Sequence, residues 1–130
     1  MKSVAEIFGI ETISKDLYRY ALTHSSYTKD LNLPATECYE RLEFLGDAVL
    51  KLSISDVLFR KYPDSPEGEL SKIRSIIVSD NTLADIAKKN GLQKLIIMSK
   101  HEEKQGCRNL NSICACAFEA TLGAYYLDGK

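Results

Sequence analysis

The chain has 130 residues, 45% of them hydrophobic and 27% charged, with a net charge of −1. This excludes a disordered segment and suits one domain with its own apolar core. A charge near zero also excludes a broad electrostatic grip on nucleic acid, and no apolar run approaches the about 20 residues of a membrane span. The N-terminus MKSVAEIFGIETISKD carries acids early and has no secretory core, so a cytoplasmic protein with no membrane attachment is expected. Its four cysteines, Cys38, Cys107, Cys114 and Cys116, then read as reduced thiols. The C-x6-C-x-C spacing of the last three matches structural zinc sites poorly.

In chain order, Ser14 is placed to cap a helix over 15–22, with THSSY (23–27) as a turn and LNLPATE (31–37) as a loop. Pro34 discourages helix there. Residues 38–61 form the longest periodic segment. Leu42, Leu45, Val49, Leu52 and Leu58 recur at three- and four-residue steps, and Phe44, Ala48 and Val57 widen the stripe. So wide a stripe predicts a central helix buried on more than one side, ended by Tyr62-Pro63-Asp64. Ser65 suits an N-cap and Pro66 the first position of the next helix, which carries Leu70, Ile73, Ile76 and Ile77 inward. Ser79 caps another helix, and Asn90-Gly91 stops it in a left-handed turn. A brief helix is predicted over 92–100, a polar mobile loop over 101–109, and a last apolar helix over 110–127. No stretch alternates with period two for long, so the fold class is all-α, one domain over 1–130.

Three acids punctuate the central segment. Glu43 and Asp47, four apart, share a helix face, and Glu40 extends the row by three. Charged helix faces ordinarily meet solvent. Here, however, the acids lie among Leu42, Phe44, Leu45, Ala48 and Val49 with only Arg41 nearby, and the last helix holds a solitary acid, Glu119, in CACAFEATLGAYYL. A lone Glu in so apolar a helix needs a cation, a hydrogen-bond network or a metal. If the two helices pack, Glu43, Asp47 and Glu119 converge on one hard ion, Mg²⁺ or Mn²⁺, and such a site supports phosphoryl chemistry.

ERLEFLGDAVL (40–50) resembles the signature helix of the ribonuclease III endonucleases. LTHSSY (22–27), GELSKIRSIIVSDNTLADIAKKNGL (68–92) and AFEATLGAYYLDG (117–129) resemble the same family in order and spacing, so the likeness runs from about Ile7 to Gly129. The resemblance implies an all-helical symmetric homodimer that cuts double-stranded RNA, a polymer rather than a small-molecule substrate. Products would carry 5′-phosphate and 3′-hydroxyl ends. Asp47 and Glu119 match the catalytic acids, with Glu43 beside them as a metal ligand and Glu40 as a supporting acid. Phe44 falls at a position of dimer contact, with an ordinary core Phe as the competing reading.

The likeness breaks at three places. The family's last helix carries an Asp three residues before the Glu matched by Glu119, and that slot is Cys116. A thiol is mostly neutral at neutral pH and is a soft ligand, poorly matched to Mg²⁺. The expectation is a weakened nuclease; the alternative is an inactive module that binds double-stranded RNA or assembles with protein partners. Tyr39 stands where many members have Asn. The chain also stops before the family's terminal helix and any double-stranded-RNA-binding domain. Phosphate contacts would then fall to Lys72, Arg74, Lys100, Lys104 and Arg108, with Arg108 favoured because its loop leads into the Glu119 helix.

Overall fold

Small side chains select the helix at the centre of this fold. The computed structural model describes residues 2–129. In chain order its helices are α1 (Val4–Phe8), α2 (Lys15–Ala21), α3 (Ser25–Asp30), α4 (Glu40–Lys61), α5 (Glu67–Ile77), α6 (Asp80–Asn90), α7 (Lys100–Lys104) and α8 (Asn111–Leu127). Single 3-10 turns lie at Ala35–Glu37, Leu92–Leu95 and Cys107–Asn109. Among the described residues, no helix is long and apolar enough to cross a membrane.

Buried Cys114, Ala115, Ala117, Ala120, Gly123 and Ala124 line α8, and α4 and α6 both pack against it. The α4–α8 crossing is a backbone contact. A methyl group at Gly46 would overlap the Glu119 carbonyl, and one at Gly123 the Leu42 carbonyl. Glycine in a helix interior costs about 1 kcal/mol relative to alanine, and here it lets two helices meet at the least separation their backbones allow. Leu83 of α6, and Leu92 just after it, fill the space around α8 with almost no exposure.

This arrangement corrects the expectation that 38–61 is the central helix. Among its residues α4 buries Leu42, Gly46, Leu50 and Leu58, a single row at steps of four and eight. Phe44 stays 83% exposed, Leu52 and Phe59 each 73%, and Val57 is exposed too. Ile76 of α5, expected inward, is 61% exposed. Periodicity records which residues are apolar, and burial also needs a neighbour to cover them.

Several boundaries hold and several move. Ser79 caps α6 by accepting from Thr82 N, and Gly91 ends it at φ 78°. Ser14 is the N-cap of α2 but makes no side-chain cap bond. The cap of α5 is Pro66 rather than Ser65, since an extended Pro66 leaves Glu67 as the first helical residue. THSSY is not a plain turn: α3 starts inside it, with His24 Nδ1 accepting from Ser26 N at 3.1 Å. Ser3 and Ser99 cap α1 and α7 in Ser-x-x-Glu patterns.

The predicted helix over 92–100 is one 3-10 turn followed by extended chain. Thr23 and Ile97 pair there in parallel, with His24 N donating to Ile97 O at 2.8 Å and Ile97 N to Leu22 O at 2.7 Å. These groups adjoin buried Leu22, Ile96 and Met98, so each needs a protein partner. The predicted mobile loop over 101–109 is ordered into α7 and a 3-10 turn. At the far end of the chain, Asp128 accepts from Ile13 N and Ser14 N, both at 2.8 Å, and from Tyr18 OH at 3.0 Å. Burial, and then Asp128, push the Tyr18 phenol up to about 12.

Candidate active site

The glycine crossing fixes where the acids meet. Glu43 and Asp47 flank Gly46 on α4, and the carbonyl of Glu119 on α8 is the group Gly46 touches. Glu40, Glu43, Phe44, Asp47 and Glu119 line one open cavity of about 310 Å³. Glu40 and Glu43 lie in the first turn of α4, where the helix dipole favours negative charge, and Asp47 follows one turn further on.

Glu119 is only 8% exposed. Burial raises its pKa to about 8, helped by a hydrogen bond with Asp47 and by the charges of Asp47, Glu43 and Asp80. Asp47 also pairs with Lys51 Nζ at 3.1 Å. Beside this pair, Cys116 Sγ donates to Glu43 Oε1 at 3.1 Å. Burial, then Glu43 and Glu119, hold that thiol well above its usual range, so it is neutral at neutral pH. The acids thus stand in two proton-sharing pairs, Cys116 with Glu43 and Glu119 with Asp47. Among the described residues, no group of three His, Cys, Asp or Glu side chains stands ready to hold a metal ion in this arrangement.

The donor chemistry nevertheless fits a hard divalent cation. Four carboxylates face one cavity, and a proton holds together charges that a cation would neutralise. Cys116 is the poor match, being soft and protonated. Both parts of the predicted constellation, the convergence of Glu43, Asp47 and Glu119 and the slot of Cys116 beside them, are in one place.

The other predicted residues are scattered. Phe44, far too exposed for a core residue, borders the acid cavity and a larger one of about 910 Å³ between α2 and the start of α4. Lys72, Lys100 and Lys104 are exposed. Arg74 Nη1 donates to Ser55 Oγ at 2.8 Å and braces α5 on α4. Arg108 is committed inward: Nη1 donates to Gln93 O at 2.8 Å and Ile96 O at 2.6 Å, and Nε to Glu103 Oε2 at 2.8 Å. It ties the 3-10 turns to α7.

Of two further residues near the site, Asp80 went unread in the sequence and Tyr39 was read only as a departure from the family pattern. Asp80 opens α6 and bears on both Glu119 and Cys116; its one sequence signal is its place after the Ser79 cap. Tyr39 stacks on His24 at 5.8 Å, and after burial it feels Cys116 and Glu43 most strongly. Tyr39 and Cys116, the two side-chain departures from the family pattern, are therefore neighbours.

An all-helical domain with acids from two crossing helices around one cleft has the build of a nuclease domain. The profile of the Ribonuclease-III-like family matches residues 14–130, and the chain belongs to that family. Ribonuclease 3 from Staphylococcus aureus is 50% identical over 113 residues, which is 87% of this chain and 46% of that protein. The chain therefore spans about half the length of the curated relatives it matches. A structure of the nuclease domain of ribonuclease III from Campylobacter jejuni, whose dimer-forming region is described as flexible, superimposes with a TM-score of 0.88 at 38% identity, covering 96% of this chain and 83% of that one. Dicer from Pichia stipitis superimposes with a TM-score of 0.65 at 25% identity, covering 91% of this chain and 48% of that one.

Proposed function

We propose that this domain is a metal-dependent endonuclease for double-stranded RNA, acting as a homodimer in cytoplasmic RNA processing. The observation that carries the reading is the meeting of Glu43, Asp47 and Glu119 from two crossing helices in one cavity. Those three would hold the ion, Mg²⁺ or Mn²⁺, with Glu40 as a supporting acid. When bound, the cation supplies charge neutralisation at the scissile phosphate and an activated water, giving 5′-phosphate and 3′-hydroxyl ends. The chain's own part is placement. Gly46 and Gly123 hold the two acid-bearing helices at fixed spacing. Asp47 and Glu119, the catalytic acids, share a hydrogen bond and would hold the cation together with Glu43. Exposed Phe44 and the apolar face of α4 support pairing with a second copy. Lys72, Lys100 and Lys104 remain for phosphates, whereas Arg74 and Arg108 serve the fold. Four free thiols agree with a reducing compartment.

A labelled RNA duplex in Mg²⁺ tests the reading. Asp47→Asn and Glu119→Gln should each slow cleavage by more than the about 10- to 100-fold that losing an outer metal partner costs. Equal cleavage by all three proteins refutes the roles. A second reading, an inactive duplex-binding or protein-assembly module, is favoured by the Cys116–Glu43 bond, which occupies a ligand oxygen. Duplex bound but uncut by the native chain, and cut by Cys116→Asp, would support it.

A further inference from the structure

A backbone N–H can only donate, so the bond from Ser26 N to His24 Nδ1 at 3.1 Å fixes the state of the ring. Nδ1 must lack a proton, and the neutral ring then carries its proton on Nε2. Ser26 Oγ lies 2.8 Å from the same Nδ1 and accepts from Ser99 N at 3.0 Å. One imidazole nitrogen thus ties the first turn of α3 to Ser99, the cap of α7, across 73 residues of chain. The half-buried ring is held on its other sides as well. His24 N donates to Ile97 O at 2.8 Å, and Tyr39, the N-cap of α4, stacks on the imidazole.

We propose that His24 is an acid-sensitive clasp: protonation at Nδ1 uncaps α3 and releases the tie from Ser26 to Ser99 at the start of α7. A proton on Nδ1 would face the Ser26 N–H, two donors with no acceptor between them. The ring has to turn away, which withdraws it from Tyr39 and lets the first turn of α3 fray. Ser99 N, beside buried Met98, then loses its acceptor. Burial opposes the proton most, and Lys29 of α3 adds to that; Glu102 of α7 and Glu40 of α4 favour it, and the balance lies below the ordinary 6.5. From α8, Ile113 and Ala117 line the small space beside the ring and bring no charge. The clasp is therefore shut at neutral pH. As pH falls the unfolded chain takes up the proton first, so the stability the clasp gives is complete above about 6.5 and is lost as pH falls through the lower folded value. The clasp works with or without a cation in the acid cavity.

Nitrogen-15 NMR of the purified chain is the test. At pH 7.5 the His24 ring should be the Nε2–H tautomer; an Nδ1–H tautomer overturns the proposal. Between pH 7 and pH 5, the amides of Ser26 and Ser99 should lose about fivefold or more of their protection from hydrogen exchange, the size of one lost helix cap. That loss, corrected for the intrinsic pH dependence of exchange, should follow the titration of the His24 ring. In His24→Asn, whose side-chain oxygen accepts a bond throughout this range, both amides should stay protected. In His101→Gln, which removes the other histidine, the loss should remain as in the native chain. Protection that does not follow the His24 ring, or a loss that persists in His24→Asn, overturns the proposal. If His24→Asn does not fold, the tautomer and the exchange of the native chain decide it.

Discussion

The helices α4 and α8 are both rich in apolar residues, and the fold treats them in opposite ways. Helix α8 is lined with alanine, cysteine and glycine and is buried along most of its length. Helix α4 carries Phe44, Leu52, Val57 and Phe59 and leaves them exposed. Small residues let neighbours approach from more than one direction, so they mark the centre. Large apolar residues without cover mark a face that awaits another surface.

Breaking the joint between the two should have the largest effect. Gly46→Val must push the helices apart at the Glu119 carbonyl, and we expect a loss above about 4 kcal/mol, a large share of what holds a typical domain. Thermal melting by circular dichroism measures it, and a native-like melt would mean the crossing is looser than the structure has it. Next come single-sided changes. Ala120→Leu on α8 should cost about 1–3 kcal/mol by overpacking. Phe44→Ala on α4 should cost less than about 0.5 kcal/mol in the monomer while weakening self-association in sedimentation. Equal costs would erase the contrast between the two helices.

The last test is electrostatic. In the fold Glu119 is raised from its ordinary 4.5 to about 8. The folded chain therefore keeps a proton that the unfolded chain releases first. The stability so gained is complete below the unfolded value and is lost as pH rises through about 8. In chelator, the melting temperature of the native chain relative to Glu119→Gln should fall from pH 5 to pH 8. A difference independent of pH would place Glu119 in ordinary solvent.

Much of this was legible in the residues. Ser79 and Gly91 bracket α6 as their chemistry requires, and the absence of a period-two pattern excludes a sheet. The site was legible because a solitary Glu119 in an apolar helix demands a partner. Other features depend on neighbours that no local pattern names. Arg108 looks available for phosphate until the carbonyls of Gln93 and Ile96 are found beside it. Thr23 and Ile97 pair only because distant segments leave backbone groups to satisfy. His24 caps a helix with a ring nitrogen, outside the usual Ser, Thr, Asp and Asn set. By contrast, Ser99 with Glu102 carries the ordinary capping pattern at the border between the helix expected over 92–100 and the loop expected over 101–109.

The bond between Ile13 N and Asp128 spans 115 residues of chain. A contact of that span forms only when nearly everything between its ends has already collapsed, because an early closure would have to hold a very long floppy loop. This latch is therefore expected to close late in folding. Its loss should leave the folding rate almost untouched and quicken unfolding. Asp128→Ala is expected to shorten the lifetime of the folded state and to change little how quickly that state is reached.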